Sequence, residues 1–338
     1  MAGGDTMSRY IRQEMLAEVG PAGQERLRAA RVLVVGAGGL GAPVLQYLVG
    51  AGVGHLTLVD GDHVSLSNLH RQVLFRETDI GQLKVEAAAA SLRRLNAECE
   101  IVTVSLPLDP ANAPQLVAGS TLVLDCADSF AVSYILSDTC RAAGVPLISA
   151  SVLGFTGYVG GFCGAAPSLR AVFPDLPDRA VSCATAGVMG PTVGLIGAAQ
   201  AQMAIACLIG QSPSPLGQLI SFDMHSFRTG GFRFDTAPEP DAALGFIAAS
   251  AIAASDFVVE LRDEAEAPLS ITPFAQRMTV AQFTQQQNAP PEQSRRAVFA
   301  CRSGLRAWQA ATHLRSYWAG EISLVAAGDT VPFERQTT

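Results

Sequence analysis

Lysine is almost absent from this 338-residue chain: of 23 basic residues only Lys84 is a lysine, and the other 22 are arginines. A codon bias toward arginine accounts for the 22 and leaves the exception to be explained. The seven cysteines (Cys99, Cys126, Cys140, Cys163, Cys183, Cys207 and Cys301) include no C-x-x-C pair. That argues against a disulfide framework and a structural zinc, and it fits a reducing compartment. Positive charge is in deficit, with a net charge of -7, so no basic field exists to hold a nucleic acid. Met1 to Tyr10 has no apolar signal core, and a cytoplasmic location is expected. Charge is sparse at 16%, hydrophobic residues reach 49%, and 32 glycines are present. This excludes disorder and, at about 100–200 residues per domain, leaves room for two domains.

What is there begins with short β-branched runs that stop at glycine or acid. Arg9 to Ala30 reads as polar helical turns, and Arg31 to Val35 and His55 to Val59 read as buried strands. Further strands are expected at Glu100–Val104, Thr121–Leu124 and Pro146–Ser149, with helices at Ala42–Val49, Lys84–Asn96 and Val132–Ala143 between them. Alternation of this kind predicts a Rossmann-like, doubly wound, mainly parallel α/β sheet. Gly154–Phe162 suits an antiparallel extension. Ala186–Gly210 is long enough to span a bilayer. Gln200, Gln202 and Pro191, and the lack of flanking basic residues, favour a buried helix and no membrane association. Around Asp235 to Leu244 periodicity gives way to a proline and acidic run. The chain therefore divides into residues 1–235, a linker at 236–246, and a small α/β unit at 247–338. Within the last, strands are expected at Phe257–Leu261 and Ala297–Ala300, a polar connection at Gln282–Asn288 and a helix at Arg306–Trp318.

Gly36-Ala37-Gly38-Gly39-Leu40-Gly41 fits G-x-G-x-x-G directly after a strand and before a helix, and Asp60 follows nineteen residues past Gly41. Backbone N–H groups there suit a phosphate and the acid a ribose hydroxyl. Taken alone, that pattern favours a nicotinamide dinucleotide. The next segment shifts the reading, because Asn68, Arg71 and Lys84 supply an amide and two cations that hydride transfer has no use for. Nucleotidyl transfer does use them: the crowded α-phosphate and departing pyrophosphate gain charge that cations must meet. Asp128, in Asp125-Cys126-Ala127-Asp128 at the end of a strand, adds a hard carboxylate suited to Mg²⁺.

These motifs, with Arg9-Tyr10-x-Arg12-Gln13, LTLVDGDHVSLSNLHRQ, GQLKVE, LDCADS and CATAGVMGP, resemble the MoeB/ThiF family, relatives of ubiquitin-activating enzymes, over about residues 8–234. The resemblance implies an ATP- and Mg²⁺-dependent homodimer that adenylates the C-terminal carboxylate of a small ubiquitin-like sulfur carrier ending in Gly-Gly. It implies a nucleotide site of Gly36, Gly38, Gly39, Gly41, Asp60, Asp62, Ser67, Asn68, Leu69, His70, Arg71, Lys84, Ala127 and Asp128. Asp128 would hold Mg²⁺, Asn68, Arg71 and Lys84 would stabilise the α-phosphate transition state, and Arg12 would enter the partner subunit's site. The chemistry has a reason: a carboxylate loses oxide unwillingly, whereas an acyl adenylate loses AMP, and carboxylate attack needs no general base.

Family members commonly bind zinc through two C-x-x-C pairs. Here Ser168-Leu169-Arg170-Ala171 and the linker DTAPEPDAAL stand in their places, so no zinc site is expected. Cys183 stands where some relatives link covalently to the carrier. Cys301-Arg302-Ser303-Gly304-Leu305-Arg306, after a β-run and before a helix, resembles the active-site loop of rhodanese domains, and VVELRDEAEAP resembles their opening strand and acidic turn. Loop N–H groups, the helix dipole, Arg302 and Arg306 are expected to lower the Cys301 thiol's pKa and cradle a persulfide supplied by a cysteine desulfurase or thiosulfate. The rhodanese-like unit is shortened. The overall expectation is an adenylyltransferase with sulfurtransferase activity at Cys301. The alternatives are adenylation of a peptide or small-molecule carboxylate, a non-catalytic scaffold for carrier and sulfur donor, and a Rossmann oxidoreductase.

Overall fold

The computed structural model describes residues 8–176, 187–285, 291–292 and 295–328. Two short helices, α1 (Ile11–Glu14) and α2 (Gly20–Ala29), lead into the expected run of β1 (Arg31–Val35), α3 (Gly41–Gly50), β2 (His55–Val59), α4 (Lys84–Leu95), β3 (Glu100–Val104), α5 (Ala113–Val117), β4 (Leu122–Asp125), α6 (Phe130–Ala143) and β5 (Pro146–Leu153). These five strands pair in parallel in the order β3-β2-β1-β4-β5. Val32 to Val35 and Leu122 to Asp125 are buried throughout, as sheets covered by helices on both faces require.

β5 runs four residues past Ser149 because all eight of its residues pair antiparallel with β6 (Thr156–Cys163). β7 (Gln218–Asp223) and β8 (Arg228–Arg233) then extend the sheet to eight strands. Neither was expected, and β8, exposed along its whole length, has no buried face to write a period into its sequence. A short helix, α7 (Leu169–Val172), comes before a gap in the description, and the long apolar segment then forms α8 (Gly190–Ile209). α8 is long and apolar enough to cross a bilayer. In this structure it packs on α2, α3, β5 and β6. Gln200 at its middle is fully buried, and its Nε2 donates to the carbonyls of Asp125 (2.7 Å) and Ile148 (3.1 Å).

A second, five-stranded parallel sheet of order β11-β10-β12-β13-β9 follows. It consists of β9 (Gly245–Phe246), β10 (Phe257–Glu260), β11 (Gln276–Arg277), β12 (Ala297–Cys301) and β13 (Ile322–Ala326), with helices α9 (Val280–Gln285) and α10 (Leu305–Arg315). Two expectations give way here. Gly245 and Phe246 belong to the small sheet rather than the linker, since β13 pairs with them. The start of the Gln-rich segment is helical, because Phe283 is buried edge-on to Phe299 at 5.0 Å between centroids.

The two units share a core. Trp308 of α10 packs against Tyr134 of α6 at 6.0 Å, and Leu305, Ala307 and Leu314 lie in one apolar cluster with Ile135 and Leu136. The Ser168 segment and the linker, where the resemblance would have placed cysteine pairs, are joined by hydrogen bonds. Ser168 donates to the Glu239 carboxylate through its N–H (2.7 Å) and its Oγ (2.6 Å), and Arg141 pairs with the same carboxylate at 3.0 Å. Buried Arg170 forks onto Asp138 at 2.6 and 2.8 Å and donates to the Leu244 carbonyl at 3.1 Å.

Candidate active site

In an open parallel sheet the ligand crevice lies beyond the carboxyl ends of the strands where the connections reverse direction. Here that point falls between β1 and β4. The glycine loop leaves β1 at Gly36, whose φ of +100° suits glycine alone. A β-carbon at Gly36 would lie 2.6 Å from the Cys126 carbonyl oxygen, and one at Gly41 would lie 2.1 Å from the Gly36 carbonyl oxygen. These glycines draw the β1 and β4 loops together and start α3 at close range. Gly38 faces the Gln72 amide, and Gly39 faces Val193 of α8 and the Arg71 stem.

Asp60, at the end of β2, is tied to this loop. One carboxylate oxygen accepts the Ala37 N–H at 2.7 Å and the other the Asp62 N–H at 2.8 Å. Burial pushes its carboxyl above the ordinary carboxylate value, against the pull of the Lys84 cation and the two N–H donors. Lys84 opens α4 with its side chain only 8% exposed and its Nζ 2.8 Å from the Asp62 carboxylate, which is 75% exposed. A pair with one partner so well hydrated is worth little. The ammonium can therefore pass from Asp62 to a phosphate at small cost.

Between these lie two 3₁₀ turns, of which Leu66–Asn68 carries the candidate residues and Glu77–Asp79 follows it. Asn68 Oδ1 accepts the Ser65 N–H (3.3 Å), Ser65 and Ser67 hydroxyls meet at 3.1 Å, and Arg71 Nη1 reaches the Ser67 carbonyl (3.1 Å) and His70 Nε2 (2.9 Å). Leu69 is half-buried beside them. On the β4 side, Ala127 and exposed Asp128 occupy the loop that leads into α6. Gly36, Gly38, Gly39, Gly41, Asp60, Asp62, Ser67, Asn68, Leu69, His70, Arg71, Lys84, Ala127 and Asp128 thus all belong to the loops, turns and helix starts that follow β1, β2 and β4.

Asp125, three residues before Asp128, was not singled out from the sequence. It is fully buried, accepts Ser149 Oγ at 2.7 Å and the Ala127 N–H at 3.2 Å, and burial pushes its carboxyl up to about 6. Nothing in LDCADS separates a buried acid from an exposed one. Only the sheet does.

Arg12 is not brought to this site within its own chain. Gln13 donates to the Ala51 carbonyl (2.8 Å) and Tyr10 lies against Gly52 and Asn96, all at the amino end of β2. The glycine loop is at the carboxyl end, a five-residue strand or about 17 Å away. Cys183 lies outside the described residues. Cys301, at the end of β12, is fully buried, and its Sγ accepts the N–H groups of Gly304 (3.1 Å) and Ala307 (3.4 Å). The expected cradle is present, with Arg306 adding a side-chain contact. The expected low thiol pKa is not: burial pushes the thiol up, and this outweighs the N–H donors and Arg306. Among the described residues no three His, Cys, Asp or Glu side chains group as metal ligands.

Residues 10–244 match the ThiF family over more than half of the chain. The chain belongs to the ThiF family. It is 42% identical over 219 residues to the SAMP-activating enzyme E1 of Haloferax volcanii, covering 64% of this chain and 81% of that one. To the adenylyltransferase and sulfurtransferase MOCS3 of Bos taurus it is 48% identical over 222 residues, covering 65% of this chain and 49% of that one. The chain thus matches about half the length of the MOCS3 relatives. Among solved structures the ThiF fold recurs in PaaA, with a TM-score of 0.59 and 25% identity over 69% of this chain and 75% of that one. It recurs also in E. coli MccB crystallised with ATP, with a TM-score of 0.61 and 22% identity over 72% and 76% of the two chains.

Proposed function

We propose that this ThiF-family protein uses ATP to adenylate the C-terminal carboxylate of a small ubiquitin-like sulfur carrier ending in Gly-Gly, and then converts it to a thiocarboxylate through a persulfide on Cys301. The observation that carries the first half is the convergence of Asn68, Arg71 and a buried Lys84 beside the glycine loop. The names of the Haloferax and MOCS3 relatives support the carrier as substrate, and the MccB–ATP complex supports the nucleotide.

In this reading the loop N–H groups and the start of α3 hold phosphate, and Asp60 accepts from the ribose hydroxyls. A carboxylate oxygen of the carrier attacks the α-phosphorus, the P–O bond to pyrophosphate breaks, and its electron pair leaves with pyrophosphate. Lys84, released from Asp62, meets the charge on the α-phosphate with Arg71 and Asn68. Asp128, an exposed carboxylate at the crevice, is the residue suited to Mg²⁺ bound mainly through phosphates and water; the ion would neutralise phosphate charge. Arg12, remote from its own crevice, fits a homodimer in which it reaches the partner's site. We place the protein in the cytoplasm.

The MOCS3 name supports the second half. A cysteine desulfurase persulfide or thiosulfate gives its outer sulfur to Cys301, releasing a thiolate or sulfite. The persulfide's terminal sulfur attacks the acyl carbon, and the C–O bond breaks with its electron pair going to AMP. A second thiol then attacks Cys301 Sγ, so the S–S pair leaves on the thiocarboxylate. The resulting disulfide at Cys301 takes two electrons from a thiol reductant. Cys183 is a candidate for the second thiol.

The test is ATP–pyrophosphate exchange with ubiquitin-fold proteins ending in Gly-Gly. Exchange that depends on such a carrier is expected; exchange with a small acid or peptide instead would transfer the reading to another carboxylate. Tight binding without exchange would leave a scaffold.

A further inference from the structure

β4 and β12 both end at the same helix. α6 starts at Phe130, directly after the Asp128 loop, and its second residue, Ala131, meets the loop that follows Cys301. A β-carbon at Gly304 would lie 3.3 Å from Ala131 Cβ and 2.7 Å from the Phe246 ring, and the Gly304 N–H is the donor 3.1 Å from Cys301 Sγ. Gly304 has a φ of +86°, so glycine serves both the turn and this approach. From Asp128 along three residues to Ala131, and across these contacts to Cys301, the separation is at most about 20 Å. An extended carrier tail of about six residues spans that distance.

The small unit is also fastened where it sits. Trp308 packs with its ring tilted at 49° against Tyr134, one turn further along α6. The linker is held to the large unit by Glu239 on Ser168 and Arg141 and by the Leu244 carbonyl on Arg170. Arg315 at the end of α10 reaches back to the Ala242 carbonyl at 3.4 Å. A docked unit with these ties is not a loose tether searching a large volume. Arg306, which touches the sulfur, has a side chain 36% exposed that pairs with Glu266, so it lies between the buried thiol and solvent.

We infer that sulfur is delivered in cis: the Cys301 persulfide of one chain attacks the acyl adenylate formed beside Asp128 of that same chain. The inference rests on the sulfur-transfer reading above and adds its geometry. Bonds made and broken are those of that reading, the sulfane sulfur forming the C–S bond while the C–O bond to AMP breaks.

The test mixes two full-length variants, Lys84→Arg, defective in adenylation, and Cys301→Ser, unable to carry sulfur, co-expressed so that mixed assemblies form. Thiosulfate is the sulfur donor, and the carrier is a Gly-Gly ubiquitin-fold protein that supports exchange by the intact chain. Melting curves within a few degrees of the parent establish that each variant folds. Delivery in cis predicts no more thiocarboxylate from the mixture than from the two variants separately. Recovery to a tenth of the parent rate or more would overturn the inference and leave sulfur transfer standing. Carrier-dependent exchange by the intact chain with no thiocarboxylate would overturn sulfur transfer itself, and the inference with it.

Discussion

Lys84 shows how a side chain can be both buried and available. Its stem lies inside the first turn of α4 while its ammonium touches an acid that is largely in water. An arginine there would keep the charge but bring a broad planar fork to a space shaped for a compact ammonium. Lys84→Arg is therefore expected to fold and to lose about 100-fold or more in ATP–pyrophosphate exchange, mainly in kcat, a size typical of removing one group that meets transition-state charge. Steady-state exchange kinetics beside a melting curve check this. Asp125 offers a pH test. Its native carboxyl titrates at about 6, against about 3.9 in an unfolded chain. Between these values the native state keeps a proton that the unfolded chain has released. Asp125's contribution to stability should fall as pH rises from about 4 to about 6 and level off above, by about 3 kcal/mol in all. Asp125→Asn is expected to flatten that part of the stability–pH curve, measured by denaturant unfolding.

At the level of elements, the parallel strands and the glycine loop were legible because each β-branched run stops at a residue that its turn requires. Val35-Gly36 and Val59-Asp60 mark strand ends by chemistry as well as by period. β8 and β9 were not legible: RTGGFR has no buried face, and two residues of strand exist only because β13 is there to pair with them. The Ser168–Glu239 clasp was hidden for a similar reason, since its partners lie 71 residues apart and neither has a local pattern. The clasp joins the two segments where the family resemblance would have placed cysteine pairs. Glu239→Ala leaves Ser168 and Arg141 without their acceptor and should cost about 1–3 kcal/mol, lowering Tm by roughly 1–4 °C. Exchange should be unchanged. A chelator, by contrast, is expected to leave the melting curve of the parent where it is.

Across the whole molecule, the described site residues read from the sequence converge on one sheet edge, apart from Arg12, which lies at the opposite edge, and the Cys301 loop, which reaches the same helix from a second sheet; Cys183 lies outside the described residues. The meeting of the two sheets on α6 could not be read in advance, because Ala131, Phe246 and Gly304 are far apart in sequence and unremarkable in type. Nor could the raised thiol pKa at Cys301, where the motif supplies the donors but only the packed fold supplies the burial. The central claim is that a carboxylate of the carrier becomes bonded to the α-phosphorus of ATP. It is tested most directly by labelling the carrier's C-terminal carboxylate with oxygen-18 and analysing the AMP released after sulfur transfer. The account predicts one labelled oxygen in AMP and none in pyrophosphate. Unlabelled AMP, or label in inorganic phosphate, would contradict it.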